Sequence, residues 1–339
     1  MNSRLPQSAT GADDYAGGGG RLKSHPSLAW LRKRILGISL DEASFARRGF
    51  REAEPSARRH LEDIGRTFLR GYNATLADQD LTALEDYLNS LPLETRGFAF
   101  EGAAMGLSLL DCLIPWRNTR LQSFMNGPGR AHVYMAHVGV GWTLARLRLS
   151  IEKTLSRMDP LLRWLVIDGF GFHQGYFYWK RHVEEFATPG RLTGYAKRAF
   201  DQGLGRSLWF IGGADARYIS ATAQSFPEAR QADIWSGVGL ACAYAGGTNE
   251  AGLITLRDAT GPYMAHLAQG AAFAAKARLR ANNIAPHTER ACESFCNLST
   301  EAAAAVTDFA LEGLPLDGAE PAYEIWRARI QKVFSKLES

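Results

Sequence analysis

Cysteine is scarce in this chain. Cys112, Cys242, Cys292 and Cys296 are the four in 339 residues, too few for a disulfide framework in a chain of this size. Long apolar runs are missing as well. The best stretch, IWSGVGLACAYAGG at 234–247, is short and glycine-rich, whereas a membrane span needs roughly 18 or more apolar residues. Charge of one sign is not in excess. A net +4 spread over this length argues against a nucleic-acid partner. No hydrophobic signal core opens the sequence, so a cytoplasmic protein is expected. Phosphate loops, zinc-protease helices and nucleophile elbows are missing too. The segment GFGFHQG (169–175) holds a Gly-x-Gly. Its third glycine is displaced and no strand–helix–strand pattern surrounds it, so no nucleotide-binding motif is present.

Glycine and apolar side chains are plentiful instead. The chain has 34 glycines and is 46% hydrophobic, enough to fill a core. Residues 1–25, with YAGGGGR, are polar and Gly/Ser-rich and are expected to be a disordered tail. Order is expected from Pro26, where SLAWLRKRILG reads as an amphipathic helix. Leu28, Leu31 and Ile35 share one side of it and would dock on the body; the other reading is attachment to an anionic membrane surface, against which the small apolar face argues.

Small residues recur in a fixed form. Gly-x-Gly or Gly-x-Ala begins at Gly102, Gly139, Gly169, Gly203, Gly237 and Gly270, at intervals of 37, 30, 34, 34 and 33 residues. Gly65 reads as an earlier, weaker copy. Such a period marks stacked supersecondary units. Alanine-rich LAQGAAFAAKARLRA and the stretch STEAAAAVTDFALEGLP, with Ser299 or Thr300 as cap and Gly313 and Pro315 as stop, make the units helical. A glycine inside a helix costs about 0.8–1 kcal/mol relative to alanine, so its recurrence implies a recurrent gain. Positions n and n+2 lie about 200° apart on a helix. Small residues there thin an inner helix on both sides. The expected fold is all-α: tandem repeats of about 34 residues in a solenoid or a closed α/α ring. Residues 26–339 are then a single helical-repeat domain.

The residue before each repeat glycine is Glu101, Val138, Asp168, Gln202, Ser236 or Gln269. Five of the six are polar in apolar surroundings. They either bond a neighbouring helix, since buried polar groups need partners, or form a polar strip in a ligand cavity. Histidines cluster around the same repeats: His173 five residues after Asp168, His132 and His137 around VYMA, and His266 in a second YMAH. They read either as hydrogen-bonded core residues or as proton carriers and metal ligands. A carboxylic acid at Asp168, among Trp164, Phe170 and Phe172, suits proton transfer, with Glu101 as a second carboxylate. Cys292 and Cys296 are four apart on one helical face, and His287 precedes them in HTERACESFC. Two thiolates and an imidazole suit copper or zinc; buried free cysteines are the other reading.

Taken together, RGFAFEGAAMGLSLLD, YMAHVGVGWTLARL, DPLLRWLVIDGFGFHQGYF, RAFDQGLGRSLWF, DIWSGVGLACAYAGG and LAQGAAFAAKAR resemble the UnbL-like proteins. These are a family of unknown function associated with enediyne polyketide biosynthesis. The resemblance spans residues 30–335. It implies an accessory protein, an enzyme or enzyme component, in the maturation of a polyketide-derived polyene, with an oxidative step. It also implies UnbV-like and membrane-borne UnbU-like partners, through which the protein would associate with a membrane. Asp168, His173, Glu101 and His137 are the candidate catalytic residues. Phe172, Tyr176, Trp142, Trp179, Trp209, Trp235, Gln202 and Gln269 are the candidate substrate contacts, because aromatic faces suit a conjugated chain. The other reading is a non-catalytic helical repeat module that binds an apolar ligand or pathway proteins.

Overall fold

Caps and left-handed turns cut the chain into helices. The computed structural model describes residues 26–77, 80–114 and 118–337, and the tail expected at 1–25 lies outside them. Asp80 closes the first turn of one helix, Asp215 of a second and Ser299 of a third, each accepting a backbone N–H two or three residues on. Asn297 ends another in the left-handed region.

The long helices are α1 (Pro26–Leu36), α3 (Pro55–Ala77), α5 (Arg96–Leu113), α7 (Val133–Leu147), α9 (Trp164–Phe177), α10 (Ala196–Ile211), α12 (Glu228–Ala245), α14 (Met264–Arg280) and α17 (Ala322–Leu337). Shorter ones connect them: α2 (Phe45–Arg48), α4 (Leu81–Ser90), α6 (Arg120–Asn126), α8 (Ile151–Leu155), α11 (Ala216–Ser225), α13 (Glu250–Ala259), α15 (Pro286–Cys296) and α16 (Thr300–Phe309). No strand occurs among the described residues, so the fold is all-α.

Packing follows chain order. α3 packs on α5, α5 on α7, α7 on α9, α9 on α10, α10 on α12, α12 on α14 and α14 on α16. α11, α13 and α15 form an outer row against this series, and α17 lies across α14. One apolar core runs from Ala43 to Phe334. A smaller cluster, with Leu84, Leu88, Phe100 and Phe124, sits beneath α4 and α6.

The glycines explain how closely these helices approach. A methyl group on Gly139, Gly169, Gly203, Gly237 or Gly270 would strike the backbone carbonyl of Glu101, Val138, Asp168, Gln202 or Ser236 on the preceding inner helix. One on Gly141, Gly171, Gly205 or Gly239 would strike Val166, Phe200, Ile234 or Leu267 on the following one. Each inner helix is therefore gripped on two sides, backbone against backbone. Gly65 has no place in this series, because it faces the Ala43 side chain. Gly71 does, against the carbonyl of Ala99.

Two further expectations change. Leu31 and Ile35 on α1 point outward, at 44% and 67% exposure, rather than into the body. α9 itself ends at Phe177, and a π-turn at Lys180–Glu184 follows it. At Ser299 the expected cap forms, but α16 stops at Phe309. Gly313 takes the left-handed turn beyond it.

Candidate functional site

The close helix contacts carry two side-chain positions inward. One is the residue just before a repeat glycine; the other is the third residue after it. On α7, Gly139 rests on the Glu101 carbonyl, and Trp142, three residues on, donates its indole N–H to Glu101 Oε1 at 3.0 Å. On α10, Gly203 rests on the Asp168 carbonyl, and Arg206, three residues on, ion-pairs with Asp168 Oδ1. Gln202 donates to the other oxygen, Oδ2, at 2.7 Å, and reaches Tyr323 on α17 at 3.3 Å. The same relation between helices thus builds two buried carboxylate contacts in a row.

Arg206 lies between two apolar cavities and forms part of both walls. Cavity 1 is bounded by α7, α9, α10, α12, α14 and α17, with Val138, Leu240, Tyr244, Phe273 and Trp326 on its wall. Cavity 2 is bounded by α3, α5, α7, α9 and α10, with Glu101, Trp142, Phe172, Tyr176 and Phe210 on its wall. Each encloses about 40 Å³ of free space. The Arg206 guanidinium also lies over the Phe172 ring, 5.1 Å from its centroid.

Glu101 is the carboxyl whose chemistry this site changes. Burial pushes its pKa up to about 7; the Arg206 charge opposes the rise, and Asp168 adds to it. A second polar cluster seats α17. Ser236 and Arg327 both donate to Gln269 Oε1, at 2.9 and 3.1 Å. Arg327 Nη1 pairs with Asp233 at 2.8 Å and Glu324 at 2.9 Å. Burial pushes the Asp233 carboxyl up, but Arg327 and Arg198 outweigh it and hold the group below its usual range.

A family model described as a protein of unknown function (DUF1702) matches residues 27–334. The chain belongs to the DUF1702 family. No curated protein and no solved structure matches it.

In this DUF1702 protein the sequence-derived candidates divide sharply. Glu101, Trp142, Phe172 and Tyr176 meet on the wall of cavity 2. Asp168 and Gln202 stand beside them in the Arg206 cluster. Gln269 belongs to the polar cluster that seats α17. His173 faces away from Asp168. It packs edge-on against Trp142, with centroids 5.4 Å apart, and burial drives its pKa down to about 3. It therefore stays neutral at ordinary pH. His137 is fully buried and bonds through Nδ1 to the Val133 carbonyl of its own helix at 2.7 Å. Neither histidine joins a carboxylate. Trp209 and Trp235 are fully buried in the packed core, the first bonded to the Gly246 carbonyl. Trp179 bonds the Arg48 carbonyl. None of these three lines either cavity.

The soft-metal set does not assemble. Cys292 and Cys296 are buried free thiols in hydrogen-bond contact with each other, and Cys296 also donates to the Ala268 carbonyl. His287 turns instead to the Tyr244 carbonyl and to Glu94. Among the described residues no three His, Cys, Asp or Glu side chains are grouped to hold a metal ion. No described helix is long and apolar enough to cross a membrane. Arg206, missed from the sequence, had a readable signal. The residues three after the repeat glycines are Met105, Trp142, Phe172, Arg206, Leu240 and Phe273, and one of these six is charged.

Proposed function

We propose that this protein binds an elongated apolar molecule in its interior and moves a proton on it through Glu101. One observation carries the reading. Two apolar cavities meet at Arg206, and the carboxyl on the wall of the second, Glu101, is raised to about 7. A carboxyl in that range gives and takes a proton with similar ease at neutral pH. The Arg206 guanidinium, as it leaves Asp168, brings positive charge to where negative charge develops on a substrate oxygen or a conjugated carbon. Trp142, Phe172 and Tyr176 offer apolar ring faces to a conjugated chain. Occupancy requires the Arg206 side chain to swing aside, which would join the two cavities into one channel.

The finer reading rests on the resemblance to UnbL-like proteins. We place the proton step in the maturation of a polyketide-derived polyene toward an enediyne-type product, as an enzyme or an enzyme component. An oxidative step there would draw on a UnbV-like or UnbU-like partner for its electrons. We also read the inner helices as repeats of about 34 residues closed into a ring rather than left as an open solenoid. The bond from Arg278 on α14 to the Glu94 carbonyl just ahead of α5 supports closure.

A second reading is a non-catalytic module that holds an apolar ligand or pathway proteins. The free space of about 40 Å³ in each cavity favours the protein-binding form of it, since drug-sized ligand sites span roughly 300–1,000 Å³. Co-expression with an enediyne-type polyketide synthase, followed by mass spectrometry of the hydrocarbon products, separates the two. The enzyme reading expects a product that disappears in Glu101→Gln while the protein stays folded. Unchanged products with Glu101→Gln overturn it.

A further inference from the structure

Cavity 1 has a buried end and a rim. Arg206 and Tyr323 close the buried end; Tyr134, Lys276 and Ala277 stand at the partly exposed rim. The wall between is apolar. It therefore carries one cation at each end. The inner one, Arg206, is already neutralised by Asp168. The outer one, Lys276 on α14, is held by both oxygens of Asp308 on α16, each at 2.6 Å.

The two partners of the outer pair are placed differently. The Lys276 side chain is 18% exposed and shapes the cavity wall, whereas Asp308 is 53% exposed. Asp308 is thus the partner that water replaces easily, and Lys276 is the one that the wall fixes. An exposed ion pair of this kind is worth about 0–1 kcal/mol, so exchanging its acid costs little. A second cation, Arg280, lies over the Tyr134 ring at 5.9 Å. Asp159 and Asp308 oppose it at the same ring.

We propose that cavity 1, opened into cavity 2 by the swing of Arg206, takes a chain-like apolar molecule ending in a carboxylate. The chain lies along Val138, Leu240 and Phe273 toward Arg206, and the carboxylate replaces Asp308 on Lys276. A tail seated in the cavity presents its own carboxylate to Lys276 at high effective concentration, which a free anion in solution does not match. This inference rests on the proposed interior binding of an apolar chain, and it names the head group that such a chain carries.

The test uses the full chain and two fluorescent probes, a conjugated tetraene fatty acid and the primary alcohol of the same chain. Titration at low salt should show the acid binding about tenfold more tightly than the alcohol, a difference of about 1.4 kcal/mol. Lys276→Gln should bring the acid down to the alcohol's affinity and leave the alcohol unchanged. Asp308→Asn should tighten the acid severalfold by freeing Lys276. Equal binding of acid and alcohol, an unaltered acid affinity in Lys276→Gln, or weaker acid binding in Asp308→Asn each overturns the carboxylate assignment while leaving interior binding intact. Failure of both probes to bind overturns interior binding itself, and this assignment with it.

Discussion

Asp168 and Arg206 form an ion pair with almost no solvent contact, at 1% and 5% side-chain exposure. Removing one member of such a pair strands the other charge in the core, at a cost of about 3–5 kcal/mol. Asp168→Asn should therefore lower the thermal midpoint as well as any activity, and a midpoint equal to wild type would show that Arg206 finds another partner. Glu101 behaves differently because its burden is burial. Its folded pKa of about 7 lies above its ordinary 4.5, so between those values the folded chain holds a proton that the unfolded chain has released. This contribution to stability is present in full below about pH 4.5. It is lost progressively as pH rises toward 7 and then levels off. Urea unfolding across this window should show wild type losing on the order of 3 kcal/mol more than Glu101→Gln. Parallel pH profiles for the two proteins would contradict a raised Glu101.

At the scale of helices, the glycines decide what is tolerated. Gly203→Ala gains about 0.8–1 kcal/mol of helix propensity. Its new methyl, however, meets the Asp168 backbone carbonyl, which cannot move without shifting α9. A net loss of about 1–3 kcal/mol is expected. Gly190→Ala, with nothing within 4 Å of the added carbon, should stay within about 0.5 kcal/mol of wild type. Chemical denaturation of the two variants checks both, and equal stabilities would remove the backbone-contact account. The sequence carried this much of the design. Gly-x-Gly spacing named the inner helices from α5 to α14, and the position before each glycine led to Glu101 and Asp168. It did not separate cavity walls from core. Trp142 and Trp235 stand in similar contexts, yet one bonds Glu101 and the other is sealed among side chains. Nor did spacing along α15 reveal that His287 turns toward α12 while Cys296 turns toward α14. Those choices depend on which neighbour covers each face, and no single helix encodes them.

For the whole molecule, α17 couples the interior to the C-terminal part of the chain. Tyr323 and Trp326 help to wall cavity 1, Ile330 and Phe334 are buried, and Arg327 neutralises Asp233. A chain ending at residue 318 should lose its cooperative thermal transition in calorimetry and bind apolar dyes. A sharp, unchanged transition would make α17 an ornament on an independent core. The order of packing also bears on synthesis. As the chain leaves the ribosome, most inner helices find the partner that emerged just before them, so much of the body can assemble from its N-terminal side while translation continues. The bonds from His60 to the Ala245 carbonyl and from Asn283 to the Leu93 carbonyl are among those that wait longest, because they span 185 and 190 residues. Until α12 and α14 emerge, Phe98 on α5 lacks the Tyr244 ring that covers it in the finished protein. A ribosome stalled before residue 245 therefore holds a half-built molecule with an apolar inner wall open to water, a natural target for chaperones and for proteases.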